Sequence, residues 1–307
     1  ISGEVWVNRV EPSHHDVATA YLVLDNHRLD DMNPHVFKTT DFGASFTDIT
    51  GNLPDGVGSY VVLEDPVNPN LLFVGTEYGA FASIGGGNDW FKLSTGMPNV
   101  AVRDLLIHPR DADLVAGTHG RSIWILDDIT PLRQMVSEVA AADAHLFENR
   151  VGTKWVTINL GRKQPDFFFR GENPPPGAAI NFWLRDAPQG NVQLRVSEFT
   201  GDRVADLRVG GGGGGGRGGR RGGGRGGRGR GAQGLKAGIN RTFWNFQFPS
   251  TDAERATMRL RLSDAIDFLE GRVIEDDRQI ALADMRNRLV VATDDRSLNQ
   301  VRNELAA

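Results

Sequence analysis

Hydrophobic and polar positions along residues 1–133 fall into short runs divided by turn-forming clusters. "YVVLED" (60–65) and "VRDLLIH" (102–108) alternate or run apolar, as strands buried within a structure do, and Pro/Asn/Asp clusters follow both. "LLFVGT" (71–76) and "DLVAGT" (113–118) predict second strands, and "AFASI" (80–84) and "SIWIL" (122–126) third strands. "SFTDI" (45–49) and "DWFKL" (89–93) predict outer strands.

The pattern is a repeat. Phe37, Thr39, Gly43, Phe46 and Pro54 recur 44 residues later as Phe81, Ser83, Gly87, Trp90 and Pro98. "EDPVNPNLLFVGTEYG" (64–79) is answered by "IHPRDADLVAGTHGR" (107–121), and "EPSHHDVATAYLVLDNHR" (11–28) reads as an earlier, worn copy. Units of ~40–45 residues with four short strands are the repeat of β-propeller blades. The fold class expected is mainly β: a partial β-propeller of about three blades over 1–133, followed by a β-sandwich module and a short α-helical tail. A closed propeller takes ~4–8 blades, so the piece reads as the end of a larger propeller whose N-terminal blades lie elsewhere in the same protein.

Residues 134–165 read as a linker and sandwich entry. Residues 166–250 hold the strand-like runs 178–186, 191–199, 203–209 and 241–248. From Thr251 the period changes to helical. "TDAE" (251–254) is a capping box, and Met258, Leu262, Ile266 and Leu269 share one helical face. Leu282, Met285 and Leu289, then Leu298, Val301 and Leu305, make two more stripes, so 251–307 is expected to form two or three helices.

Composition changes this picture at one place. Residues 210–231 are 16 Gly and 6 Arg and nothing else, and they supply six of the chain's 34 Lys and Arg residues against 39 acids. The rest of the chain is acidic, which argues against a nucleic-acid-binding core. The tract contains Arg-Gly-Gly triplets but no aromatic, and it reads as an expanded low-complexity loop. Contact with nucleic acid through it is a weaker alternative. Cys is absent, which excludes disulfides and thiolate chemistry. No apolar run reaches membrane-spanning length, and neither a signal peptide nor an initiating Met opens the chain, so it reads as a fragment or a processed product. No zinc spacing, nucleophile elbow or P-loop is present, so no metal or cofactor is expected. The pair Asp127–Asp128 reads as a strand-end cap.

"TTDFGASF" (39–46) fits the Asp-box pattern through Thr39, Asp41, Gly43, Ser45 and Phe46. An Asp in a tight turn accepts from nearby amides, Gly supplies the unusual dihedral, and the aromatic is expected to plug a seam between strands. With "VFKTTDFGASF" and "THGRSIWILDDITPL" (118–132), residues 1–133 resemble the end of bacterial BNR-repeat, sortilin-like propellers, often labelled glycosyl hydrolases. "GENPPPGAAINFWL" (171–184) and "GINRTFWNF" (238–246) resemble the Ig-like module that trails them. The resemblance implies an extracellular or periplasmic protein that acts on or binds glycans, or a non-enzymatic relative that binds peptides or proteins.

Blade topology assigns faces. The turns at Asp65 and Asp111 share the Asp-box face and read as structural. The opposite face carries "DNHRLDD", "GTEYG" and "GTHGR". Glu77, Asp30 and Asp31 are the catalytic candidates there, because glycosidases need two carboxyl groups ~5–9.5 Å apart. His27, Arg28, Tyr78, His119 and Arg121 are the binding candidates, with Arg103 and Asp104 starting an inner strand nearby.

Overall fold

The computed structural model of the chain describes residues 4–93, 96–154, 175, 177–190, 192–201, 203–209, 235–246, 248, 250, 252–272 and 276–306. The Gly/Arg tract, residues 155–174 and the capping residue Thr251 lie outside the described residues. The chain divides into two compact units, Ile1–Gly190 with Gly212–Trp244, and Asn191–Gly211 with Asn245–Ala307.

The first unit opens with three antiparallel sheets in chain order. Strands β1 (Val7–Pro12), β2 (Ala20–Leu24), β3 (His35–Thr39) and β4 (Thr47–Asp48) form the first. Strands β5 (Ser59–Glu64), β6 (Leu72–Thr76), β7 (Gly79–Ser83) and β8 (Phe91–Leu93) form the second. Strands β9 (Val102–Ile107), β10 (Leu114–Thr118) and β11 (Ile123–Leu126) form the third, which among the described residues has three strands rather than the four expected of a blade.

Side-chain period 2 explains the stacking. Val62, Val74 and Phe81 of the second sheet meet Tyr21, Val23 and Val36 of the first. Its other face turns Val61, Leu63 and Phe73 toward Val102, Leu105 and Leu114 of the third. The second sheet is therefore buried on both faces, which is why 60–64 reads as a continuous apolar run. Gly75 makes that stacking possible, since a Cβ there would lie 2.6 Å from the Val102 carbonyl oxygen.

Polar locks accompany the cores. Buried Glu64 accepts from the Tyr21 hydroxyl (2.7 Å), the Ser13 hydroxyl (2.8 Å) and the His14 amide (2.6 Å), tying the second sheet to the first. Buried Asp65 accepts from the Val67 and Asn68 amides and pairs with Arg133 at 2.9 Å. Asp111 pairs with Arg110 at 2.7 Å. These turns carry carboxylates that the protein itself occupies.

The turn at Thr39–Phe46 is held by its own side chains. Asp41 accepts from the Thr39 hydroxyl (2.8 Å), the Ser45 amide (2.9 Å) and the Ser45 hydroxyl (2.6 Å). The Thr39 hydroxyl accepts in turn from the Gly43 amide (2.9 Å), and Gly43 has φ +87°. In the second copy Ser83 accepts from Gly87 in the same way (2.9 Å), although Gly85 stands where the Asp would be. A side chain at Gly87 is excluded twice over, by φ +100° and by Ile49 Cβ at 2.9 Å.

The aromatic of each copy behaves differently. Trp90 is 5% exposed and donates from Nε1 to the Ile49 carbonyl of the preceding sheet (3.0 Å). Phe46 is 39% exposed. Among the described residues no sheet precedes the first to receive it, so the seam-plugging role expected of Phe46 is seen only at Trp90.

Beyond β11 come α1 (Thr130–Arg133), α2 (Ser137–Ala141), β12 (Ala144–Leu146), β13 (Ala178–Leu184), β14 (Val192–Ser197), β15 (Arg203–Val209) and β16 (Gly238–Trp244). β12, β13 and β16 form one sheet of the first unit. Asp128 joins that sheet to the third. It is buried, accepts from Asn181 of β13 at 2.9 Å and from Thr130 at 2.6 Å, and lies 3.7 Å from Arg241 of β16. The Arg241 guanidinium also donates to the carbonyls of Asp127 and Asp128, both at 2.8 Å. Burial pulls Arg241 below the usual guanidinium range.

β14 and β15 pair as a separate hairpin and fall in the second unit. That unit also holds α3 (Asp252–Glu270), α4 (Asp276–Val291) and α5 (Asp295–Leu305). Leu262 and Ile266, Leu282 and Leu289, and Leu298 and Val301 pack together, one pair from each helix, as the three stripes require. Asp294 caps α5, accepting from the Ser297 amide at 2.7 Å.

Candidate functional site

The three stacked sheets repeat one local geometry at the end of the second strand. The amides of Asp25, Glu77 and His119 donate to the carbonyls of Trp6, Gly58 and Ala101, at 2.9, 2.9 and 2.8 Å. Each acceptor directly precedes the innermost strand of its sheet. Asp25, Glu77 and His119 are therefore equivalent positions on successive sheets.

A second series lies beside the first. The register between innermost and second strand slips by one residue in all three sheets, skipping Asn8, Tyr60 and Arg103. Such bulges re-aim a side chain out of the ladder. The three skipped residues contact one another in order. Asn8 donates from Nδ2 to the Tyr60 carbonyl (2.5 Å), and the Arg103 guanidinium lies 3.5 Å over the Tyr60 ring.

The two series meet at Glu77. The Tyr60 hydroxyl donates to Glu77 Oε2, and Arg103 stands 3.9 Å from the same oxygen. Burial first, and then the Glu77 hydrogen bond, push the Tyr60 hydroxyl well above the usual phenol range, while Arg103 pulls the other way. Glu77 and Arg103 are both partly exposed, so their pair is solvated and weak as a stabilising contact. Arg9 and Asp104, on the innermost strands of the first and third sheets, stand 3.7 Å apart.

The remaining sequence candidates are placed as follows. His27 Nδ1 is 2.8 Å from Asp25 Oδ1, and Arg28 lies 4.9 Å over the exposed Trp6 ring. Asp30 closes the 3-10 turn His27–Leu29 with φ 60°. Asp31 belongs to its own turn, accepting from Asn33 at 3.0 Å and meeting His35 Nε2 at 2.6 Å. The Asn33 amide, then His35, hold its carboxyl below the usual range. Tyr78 is exposed beside Glu77. His119 and Arg121 are exposed, and the Arg121 carbonyl accepts from Trp124 Nε1 at 2.9 Å.

The structure brings together Glu77, Tyr60 and Arg103. It holds Asp31 with His35 and Asn33, a separate set of partners. Asp25, Asn8 and Tyr60 were missed by the sequence reading. Asp25 had a signal, since "LVLDNH" aligned on "FVGTEYG" puts Asp25 opposite Glu77. Tyr60 and Asn8 had none, because a one-residue slip is visible only once strands pair. Among the described residues no cluster of three His, Asp or Glu side chains could hold a metal ion. No helix among them is long and apolar enough to cross a membrane.

No family model and no curated protein matches the chain. Solved structures do. It is similar to an ancestral GH74 enzyme at 26% identity and TM-score 0.31, over 39% of this chain and 16% of that one. It is similar to the GH74 xyloglucanase from Xanthomonas campestris at 18% identity and TM-score 0.33, over 43% and 22%. A Niastella koreensis GH74 enzyme matches at 14% identity and TM-score 0.34, over 66% and 30%. The chain spans less than a third of each of these enzymes. The fold is mainly β, with small antiparallel sheets and helices at the C-terminal end.

Proposed function

We propose that the chain is the glycan-binding part of an exported, propeller-like protein, and that ligand lies along the two repeated series at Asp25–Glu77–His119 and Asn8–Tyr60–Arg103. The observation that supports this most is the cluster of Glu77, Tyr60 and Arg103, flanked in sequence by exposed Tyr78. Carboxylate and guanidinium groups suit pairs of sugar hydroxyls, and an exposed aromatic ring suits the apolar face of a sugar. Both contacts to Glu77 fall on Oε2, and neither engages Oε1.

Hydrolysis by these residues is not part of the proposal. It requires two carboxyl groups facing one bond, whereas Glu77 is engaged by a phenol and a guanidinium and Asp31 by a histidine. In this reading 1–133 are blades of an Asp-box propeller, 134–165 the linker and sandwich entry, 166–250 an Ig-like sandwich and 251–307 a helical tail.

The test is a calorimetric titration of soluble β-glucan oligosaccharides into the whole chain, with a reducing-sugar assay on the same samples. Binding without release of reducing ends is expected. Binding of extended peptides in place of oligosaccharides would favour the peptide-binding alternative, and release of reducing ends would return Glu77 to a catalytic role.

A further inference from the structure

The three tail helices leave one side of their bundle open. Asp295, at the start of α5, accepts from the Ser250 amide (2.8 Å) and faces Arg255 near the start of α3. Leu305, at the end of α5, borders the same groove as Phe268 and Leu269 near the end of α3, so the two helices run parallel. α4 runs against them, with Arg286 paired to Glu270 and Arg259 donating to the Ala292 carbonyl. Up-down-up helices are three members of a four-helix bundle. In that arrangement α3 and α5 stand on a diagonal, and the fourth position lies opposite α4. Here that position is an apolar groove of about 420 Å³, lined by Leu262, Phe268 and Leu269 of α3 and Leu305 of α5. Its charges are of one sign. Asp267 and Glu270 are taken by Arg286, and Glu304 by Arg288, all on the α4 side. Arg302 lines the groove, and Arg272 lies 4.0 Å over the Phe268 ring. Among the described residues neither of these two guanidinium groups has a carboxylate partner.

We propose that the groove receives one amphipathic helix of a partner protein, antiparallel to α3 and α5, with aliphatic side chains in the groove and Asp or Glu in its first turn against Arg272 and Arg302. Antiparallel entry sets the partner's N-terminal end, where acidic side chains are favoured, beside the C-terminal ends of α3 and α5. Docking of this kind places an apolar helix face in an apolar groove and sets polar contacts at its rim. A membrane surface takes apolar side chains that project from a helix face, whereas this groove is concave with Leu262, 6% exposed, at its floor.

The probes are two fluorescein-labelled helical peptides with leucine along one face, identical except that the first turn carries glutamates in one and lysines in the other. Fluorescence anisotropy with the whole chain is expected to show the glutamate peptide binding at least about tenfold more tightly, and Arg272→Glu with Arg302→Glu to abolish or reverse that preference. Phe268→Ala, which keeps every charge, is expected to weaken the glutamate peptide several-fold. Both variants should keep the wild-type circular dichroism. The Gly/Arg tract is the same in all of them, so contact with it cannot produce these changes. The chain has no cysteine, so Leu305→Cys reads the orientation. Oxidation is expected to join it to a peptide with cysteine in the first turn and not to one with cysteine in the last. Binding of neither peptide, equal binding of both, or a preference that the arginine variant leaves unchanged overturns the proposal, and so does cross-linking to the last turn. If the arginine variant unfolds, undiminished binding by Phe268→Ala overturns it. Sedimentation of the chain with phosphatidylserine vesicles, without peptide binding, would give the groove to a membrane and overturn it too.

Discussion

The guanidinium carbon of Arg103 lies 3.5 Å from the ring centroid of Tyr60, although the two residues stand on the innermost strands of different sheets. Both are the residues skipped where strand register slips. The contact therefore links two sheets through side chains turned out of their ladders. A partly exposed cation–π pair contributes about 0.5–1 kcal/mol. Arg103→Ala is expected to lower stability by about that much in urea denaturation. Arg103→Lys should recover only part of it, because an ammonium cannot stack as a planar guanidinium does.

The Asp41 turn makes a prediction in pH. Hydrogen bonds from Ser45 first, then Thr39, lower its carboxyl from 3.8 to about 2. A group whose folded value is depressed contributes stability that is complete above its unfolded value and is lost as pH falls through the folded one. The melting-temperature difference between the wild-type chain and Asp41→Asn is expected to hold above pH 4 and to shrink between about pH 4 and 2. A difference independent of pH in that window would mean that the charge of Asp41 does not hold the turn.

Arg241 is the partner whose loss should hurt most. It meets buried Asp128, Asn181 and two carbonyls at once. Removing one member of a buried ion pair costs about 3–5 kcal/mol. Arg241→Ala is expected to fall near the lower end, because Asn181 and Thr130 still donate to Asp128. Chemical denaturation followed by tryptophan fluorescence measures this, and a loss below 1 kcal/mol would show that the junction rests on packing alone.

Tyr21 and Glu64 supply a third stability test. The Tyr21 hydroxyl is held well above the usual phenol range by burial and by Glu64. Tyr21→Phe removes one of three donors to a buried carboxylate and is expected to cost about 1.5–3 kcal/mol, read from urea midpoints at constant slope.

Much of this was legible in the sequence because it is local and periodic. The strands of the second and third sheets, the turns at Asp41 and Asp65, and the three helical stripes each follow from spacing within a few residues. Asp128 could be recognised as a strand-end group, but its partners Asn181 and Arg241 lie 53 and 113 residues away, and no local pattern names them. The exposure of Phe46 was equally hidden, since the role of that aromatic depends on the sheet beside it. The functional cluster was half legible. Glu77 sits in a repeated turn that the sequence displays, whereas Tyr60 and Arg103 reach it through bulges that only strand pairing creates.

The most direct measurement is the affinity of a β-glucan oligosaccharide for the wild-type chain and for Glu77→Gln, each paired with a thermal melt. Gln keeps an acceptor for the Tyr60 hydroxyl but removes the charge facing Arg103 and the ligand. Affinity is expected to fall at least about tenfold, equivalent to roughly 1.4 kcal/mol, with the melting temperature within a few degrees of wild type. Equal affinity in the two proteins, or a loss that appears only with unfolding, would contradict a binding site at Glu77, Tyr60 and Arg103.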